Sequence, residues 1–71
     1  MTSMERALRE AIKKAGGLSA LALATGMSKQ RLHYMAHKSL RASPTAVLAI
    51  ERATGVARTK LRPDLYPVDG A

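Results

Sequence analysis

Glycine punctuates this chain more strongly than any other residue. Gly16, Gly17, Gly26 and Gly55 close runs in which apolar residues recur at helical spacing, and no stretch alternates apolar and polar residues long enough for a useful strand. The pieces must be short helices that bury one face against each other. A chain of 71 residues buries only roughly 60% of its unfolded surface. Hydrophobic residues make up 46%, but Phe, Trp and Cys are absent and Tyr34 and Tyr66 are the only aromatics, so the core must be Leu, Ile, Val, Ala and Met. Without cysteine there is no disulfide staple and no thiolate zinc site, which suits a reducing cytoplasm. The expectation is an all-α fold: one compact bundle of four or five short helices over residues 1–67, with a frayed tail at 68–71.

Local signals set the expected boundaries. Thr2, three before Glu5, is a capping-box signature, and Met4, Leu8, Ala11, Ile12 and Ala15 share one face, which predicts helix one over 3–15. Glu10 and Lys14 make the favoured i,i+4 pair on its outer face. Helix two runs from Leu18 to Thr25 and buries Leu18, Leu21, Ala22 and Thr25. Ser28 caps a third helix through about His37. After a loop at Leu40 to Ala42, Ser43 as cap and Pro44 at the first helical position open a fourth helix ending at Gly55, with Val47, Ile50 and Thr54 inward. Thr59 is expected to cap one more turn containing Leu61. The segment Arg62 to Pro67 reads as an ordered arm, with Glu51 pairing to Arg62 or Arg52 and with Leu65 and Tyr66 covering the apolar seam. No internal repeat or low-complexity tract is expected.

Charge narrows the function classes. Twelve Lys and Arg against 5 Asp and Glu leave +7 at pH 7, which calls for an anionic partner. A membrane span is excluded by length: the longest charge-free stretch, Ala15 to Ser28, is interrupted by glycines and cannot cross a core of about 30 Å. The N-terminus, with Glu5, Arg6, Arg9 and Glu10 in its first turns, lacks the pattern of a secretory signal. No acidic residue lies between Glu10 and Glu51, whereas Lys13, Lys14, Lys29, Arg31, Lys38 and Arg41 all do.

Within that acid-free stretch, Ala22, Gly26, Met27, Ser28, Leu32 and Met35 have the spacing of a helix-turn-helix. Ala22 permits a close crossing and Gly26 supplies the positive φ of the turn. Met27, Leu32 and Met35 fill the wedge between helices, and Ser28 caps the second helix. The outward residues Ser28, Lys29, Gln30, His33 and Tyr34 are all hydrogen-bonding types suited to base edges in a major groove. Phosphate contacts fall to Ser19, Arg31, Lys38, Arg41, Lys13 and Lys14, with Arg58 a further candidate.

Other chemistries fit less well. His33 and His37 stand four apart, but no third ligand or carboxylate accompanies them, so no metal is expected. Ser28 beside His33 lacks an orienting acid, and its hydroxyl has a capping duty, so no catalysis is expected. No cofactor is implied. Leu23, turned outward by the helix phase, is a candidate contact patch, and with Leu40 and the Leu65–Tyr66 arm it is the only support for a protein-interaction module.

From Ala7 to Pro67 the sequence resembles the small Cro-type phage repressors and the related YdaS-like antitoxin regulators. The likeness rests on Leu21-Ala22-Leu23-Ala24-Thr25-Gly26-Met27-Ser28-Lys29-Gln30-Arg31-Leu32, and on Ala49-Ile50-Glu51-Arg52-Ala53-Thr54-Gly55-Val56 followed by Leu61-Arg62-Pro63-Asp64-Leu65-Tyr66-Pro67. The resemblance implies a lambda-repressor-like fold of five helices and a cytoplasmic transcriptional repressor. It also implies action as a weak dimer, formed only on DNA, at a palindromic operator. The alternative it carries is an antitoxin-type regulator whose main partner is a toxin protein. Two positions depart from the pattern: Leu18 stands where a phosphate-binding Gln is frequent, and Met35 where an aromatic is frequent.

Overall fold

The computed structural model describes residues 2–67. Five α-helices follow one another: α1 Ser3–Ala15, α2 Leu18–Thr25, α3 Lys29–Tyr34, α4 Val47–Thr54 and α5 Arg58–Leu61. A π-helical turn, Met35–Ser39, extends α3. There is no strand among the described residues, so the all-α expectation holds. Nor does any described helix have the length and apolarity to cross a membrane. The tail expected to fray at 68–71 lies outside the described residues.

The hub is α1, which packs against α2, α4, α5 and the π turn. Its Ala7, Leu8 and Ala11 are buried, and they meet Leu21, Leu32, Val47, Ile50 and Leu61 from the other elements. The expected aliphatic core is therefore present, with Met35 its one sulfur-containing member. The Cα radius of gyration, 11.0 Å, equals the roughly 11 Å expected of a folded chain this long.

Several local expectations need correction. The Thr2 hydroxyl accepts from the Glu5 amide at 3.1 Å, but the Glu5 carboxylate accepts from Arg9 instead of closing a reciprocal capping box. The third α-helix stops at Tyr34 rather than about His37, and the wider π turn then places the consecutive residues Met35 and Ala36 both in the interior. Leu40 ends that turn at φ 59, a left-handed conformation that costs a non-glycine residue about 1–2 kcal/mol.

Ser43 and Pro44 do not open α4. They form a tight turn in which the Ala46 amide donates to the Ser43 carbonyl at 2.9 Å. The Ser43 carbonyl, which would accept the first α-helical bond from the Val47 amide, accepts from Ala46 instead, while the neighbouring Ala42 carbonyl accepts from Arg62 Nη1 at 2.9 Å. The helix therefore begins at Val47, with Ala46 as its cap.

Thr59 lies inside α5 and does not cap it. Glu51 reaches across from α4 and accepts from the Arg58 amide at 2.9 Å, a capping bond supplied by a remote side chain. The same carboxylate pairs with Arg58 Nε at 3.1 Å, so the partner of Glu51 is Arg58 and not Arg62 or Arg52. In the arm, Tyr66 packs on the core while Leu65 is 45% exposed, so only one of the two covers the seam.

An internal repeat is also present. Ala24-Thr25-Gly26-Met27-Ser28-Lys29-Gln30-Arg31-Leu32 and Ala53-Thr54-Gly55-Val56-Ala57-Arg58-Thr59-Lys60-Leu61 share the Ala-Thr-Gly turn, an apolar residue after it, a cation three after the Gly and a Leu three further on. Both copies are built alike. Thr25 Oγ1 donates to the Leu21 carbonyl at 2.8 Å and accepts from the Met27 amide at 3.3 Å. Thr54 Oγ1 donates to the Ile50 carbonyl at 2.8 Å and accepts from the Val56 amide at 3.2 Å. Gly26 and Gly55 take φ 73 and 81.

Candidate nucleic-acid interface

The two copies differ in what their second helix does with its outward side chains. In α5 Lys60 is exposed but Arg58 is engaged by the protein: it pairs with Glu51 and lies 5.7 Å from the centre of the Tyr66 ring. Arg62, at the position equivalent to His33, is 7% exposed. It forks onto Asp64 at 2.9 and 2.7 Å and bonds the Ala42 carbonyl. Its guanidinium holds the Asp64 carboxyl down from 3.8 to about 2, and the same hydrogen bond raises the Arg62 pKa against the opposing effect of burial. Arg58 is therefore a structural cation and no phosphate contact is assigned to it.

In α3 the equivalent side chains are left outside. Lys29, Gln30, His33 and Tyr34 are exposed, and the Tyr34 side stands 60% open despite its large apolar ring. Ser28 is exposed too, but its hydroxyl accepts from the Arg31 amide at 3.1 Å and so serves as the helix cap. The structural members of the motif sit where their roles require: Leu32 and Met35 are buried, while Ala22 and Met27 pack partly buried on the core. His33 and His37 rings lie 4.2 Å apart and tilted by 38°. Among the described residues no cluster of three or more metal-ligating side chains occurs.

The charges follow the same division. The carboxylates of Glu5, Glu10, Glu51 and Asp64 are paired with Arg9, Lys14, Arg58 and Arg62. Lys29, Arg31, Lys38 and Arg41 have no carboxylate within ion-pairing distance among the described residues and all are exposed. Arg6, Lys13, Arg52 and Lys60 are likewise exposed and unpaired among the described residues on other elements, but α3, the π turn and the loop after it carry their four cations with no carboxylate in the segment.

Two grooves flank α3. Along one side, Ser19 and Lys29 border a shallow apolar groove floored by Ala22, Leu23 and Gly26. Along the other, Arg31, Tyr34 and Arg41 border a deeper groove. Arg31 Nη2 donates to the Thr45 hydroxyl at 3.5 Å, and Thr45 lies 3.4 Å from the Ser43 hydroxyl. The structure thus brings Ser19 together with Lys29, and Arg31 together with Tyr34 and Arg41. It does not gather every expected phosphate ligand: Lys38, Lys13 and Lys14 line neither groove, and Lys14 pairs with Glu10 at 3.6 Å. The sequence predicts Thr25 as a buried position of helix two but not as the hydrogen-bonding hub of the turn, and it marks nothing at Thr45. The repeated Ala-Thr-Gly could have marked Thr25, whereas Thr45 gains its place only from the turn at Ser43–Ala46.

No curated protein and no solved structure matches this chain. One family profile does, described as bacterial toxin YdaS, over residues 8–69. The matched span covers both helix-turn-helix-like units, and the chain belongs to the YdaS family.

Proposed function

We propose that this protein binds double-stranded DNA by laying α3 in the major groove, and that it regulates transcription by occupying an operator. The observation that carries this reading is the contrast between the two copies of one motif. In the α5 copy Arg58 and Arg62 are held by Glu51 and Asp64, although Lys60 stays exposed, while the α3 copy leaves Lys29, Gln30, His33 and Tyr34 exposed beside Arg31 and Arg41, which no described carboxylate meets. A helix presented in this way offers base-edge donors and acceptors in its centre and cations at its margins. Membership in the YdaS family supports a toxin–antitoxin-like or regulatory small protein.

The mechanism is binding without catalysis or cofactor. Lys29 can donate to guanine O6 and N7, and Gln30 can pair with the N6 and N7 edge of adenine. Arg31, Arg41 and Lys38 neutralise phosphates and fix the register. Each chain carries one α3, so two half-sites about 34 Å apart require two copies. We expect a dimer formed on the operator and a monomer in free solution, in the cytoplasm.

A second reading is favoured by one observation. Leu23 is 87% exposed on the flank of α2, and the family description names a toxin, so the chain could act through a protein partner. A gel shift with duplex fragments at increasing salt separates the two. Retardation that falls steeply with salt supports DNA binding. No retardation at any salt, with a partner captured through Leu23 and lost in Leu23→Ser, would favour the protein-partner reading.

A further inference from the structure

The deeper groove beside α3 has a chemistry that base reading does not use. It encloses about 470 Å³ between the end of α3, the π turn and the Ser43–Pro44 turn. That is within the roughly 300–1,000 Å³ of small-molecule sites. Tyr34, Met35 and Pro44 give it an apolar lining, and Arg31 and Arg41 stand at its border. The Met35 sulfur accepts from the Ser43 amide at 3.1 Å, which ties the Ser43–Pro44 wall to the π turn. Arg62 also borders the groove, but its charge is met by Asp64 and one of its Nη1 donors by the Ala42 carbonyl. It closes the groove and adds no unpaired charge. The net character is an apolar slot with two cations that no carboxylate neutralises.

We infer that this groove binds a small organic phosphate, with its apolar or planar body against Tyr34, Met35 and Pro44 and its anionic head between Arg31 and Arg41. Charge complementarity chooses an anion, and the apolar lining chooses one with a hydrophobic body. The donors favour phosphate over carboxylate: each guanidinium carries five N–H groups, and the Ser43 hydroxyl adds one more. A single guanidinium fork already matches both oxygens of a carboxylate, whereas the three oxygens of a phosphate head can be shared between two forks. Because Arg31 and Arg41 are also cations assigned to the DNA backbone, an occupied groove would compete with DNA. The competition rests on the proposed DNA-binding function; the site itself does not.

The test is an NMR titration of the full chain with phenyl phosphate, inorganic phosphate and phenol in parallel. Phenyl phosphate should give saturable shifts at Tyr34, the Met35 methyl and Arg41, with affinity about tenfold above inorganic phosphate, and phenol should give none. Arg41→Gln should abolish the phenyl phosphate shifts, and Tyr34→Ala should reduce its affinity to that of inorganic phosphate. Both side chains are exposed, so the fold survives either change. Lys60→Gln, which removes an equal charge from α5, should leave the titration unchanged. Equal affinity for the two phosphates, or undiminished shifts in Arg41→Gln, would overturn the site. Inorganic phosphate and phenyl phosphate displacing duplex DNA equally at matched ionic strength would overturn the competition alone. If the chain binds no DNA, the titration still reads the groove.

Discussion

Arg62 shows how much one residue can decide. Its charge is balanced by Asp64 and its bond to the Ala42 carbonyl ties the arm to the loop before α4. Asp64 accordingly titrates at about 2, below its ordinary 3.8. A depressed carboxylate contributes stability that is fully present above its unfolded pKa and is lost as pH falls through the folded one. The acid limb of stability should therefore include a loss between about 4 and 2 that Asp64→Asn removes. Carboxyl NMR should put the Asp64 midpoint near 2 in the native chain and nearer its ordinary value in Arg62→Gln. Glu51 has a similar reach. Glu51→Ala deletes the bond to the Arg58 amide and should lower stability by about 1 kcal/mol, the usual loss of a capping side chain, in urea unfolding. Glu51→Gln, which keeps an acceptor oxygen, should lose less. On α3, Gln30→Ala should lose about 1–3 kcal/mol on a selected site and little on random duplex. Lys38→Ala should weaken both alike and reduce the salt slope by about one. Equal losses from both variants on both DNAs would remove Gln30 from the base readers.

At the scale of elements, the helices whose ends are written in local chemistry were legible in the sequence. Thr2 and Ala15–Gly16 bound α1, Gly17 and Gly26 bound α2, and Gly55 ends α4, because caps and left-handed glycines are properties of a few adjacent residues. Elements whose ends depend on distant partners were not. The Ser43–Ala46 turn, beside the Arg62 bond to the Ala42 carbonyl, delays the start of α4, and the cap of α5 comes from Glu51, a contact that no local spacing encodes. The site followed the same rule. Exposure of Lys29, Gln30, His33 and Tyr34 follows from helix phase, whereas the groove walled by Ser43 and Pro44 depends on the Ser43–Ala46 turn. The glycines around α2 also differ among themselves. Gly17, at φ 121 and ψ 174, occupies a region essentially reserved for glycine, whereas Gly26 at φ 73 sits where other residues can go with strain. No neighbour lies within 4 Å of an added Cβ at either place, so backbone strain alone separates them. Gly17→Ala should destabilise by about 1–3 kcal/mol and by more than Gly26→Ala, as read by thermal or urea unfolding.

Across the whole molecule, the formal charge of +7 is an uneven quantity. Four ion pairs tie the described carboxylates to α1, α4, α5 and the arm, and they leave Lys29, Arg31, Lys38 and Arg41 together on the side of α3. The duplicated Ala-Thr-Gly unit accounts for this asymmetry. In one copy Arg58 and Arg62 are held by Glu51 and Asp64, and in the other Lys29 and Arg31 meet no described carboxylate. A small all-α bundle thus acquires a rigid, cationic helix face without a separate binding domain. The central claim is that α3 reads duplex DNA by sequence, and selection of bound duplexes from a random pool tests it most directly. The account predicts enrichment of a two-fold symmetric consensus whose half-sites lie about one helical turn apart, with the enrichment lost in Gln30→Ala and Lys29→Ala. A pool that stays random after repeated rounds, or a consensus unchanged by both substitutions, would contradict it.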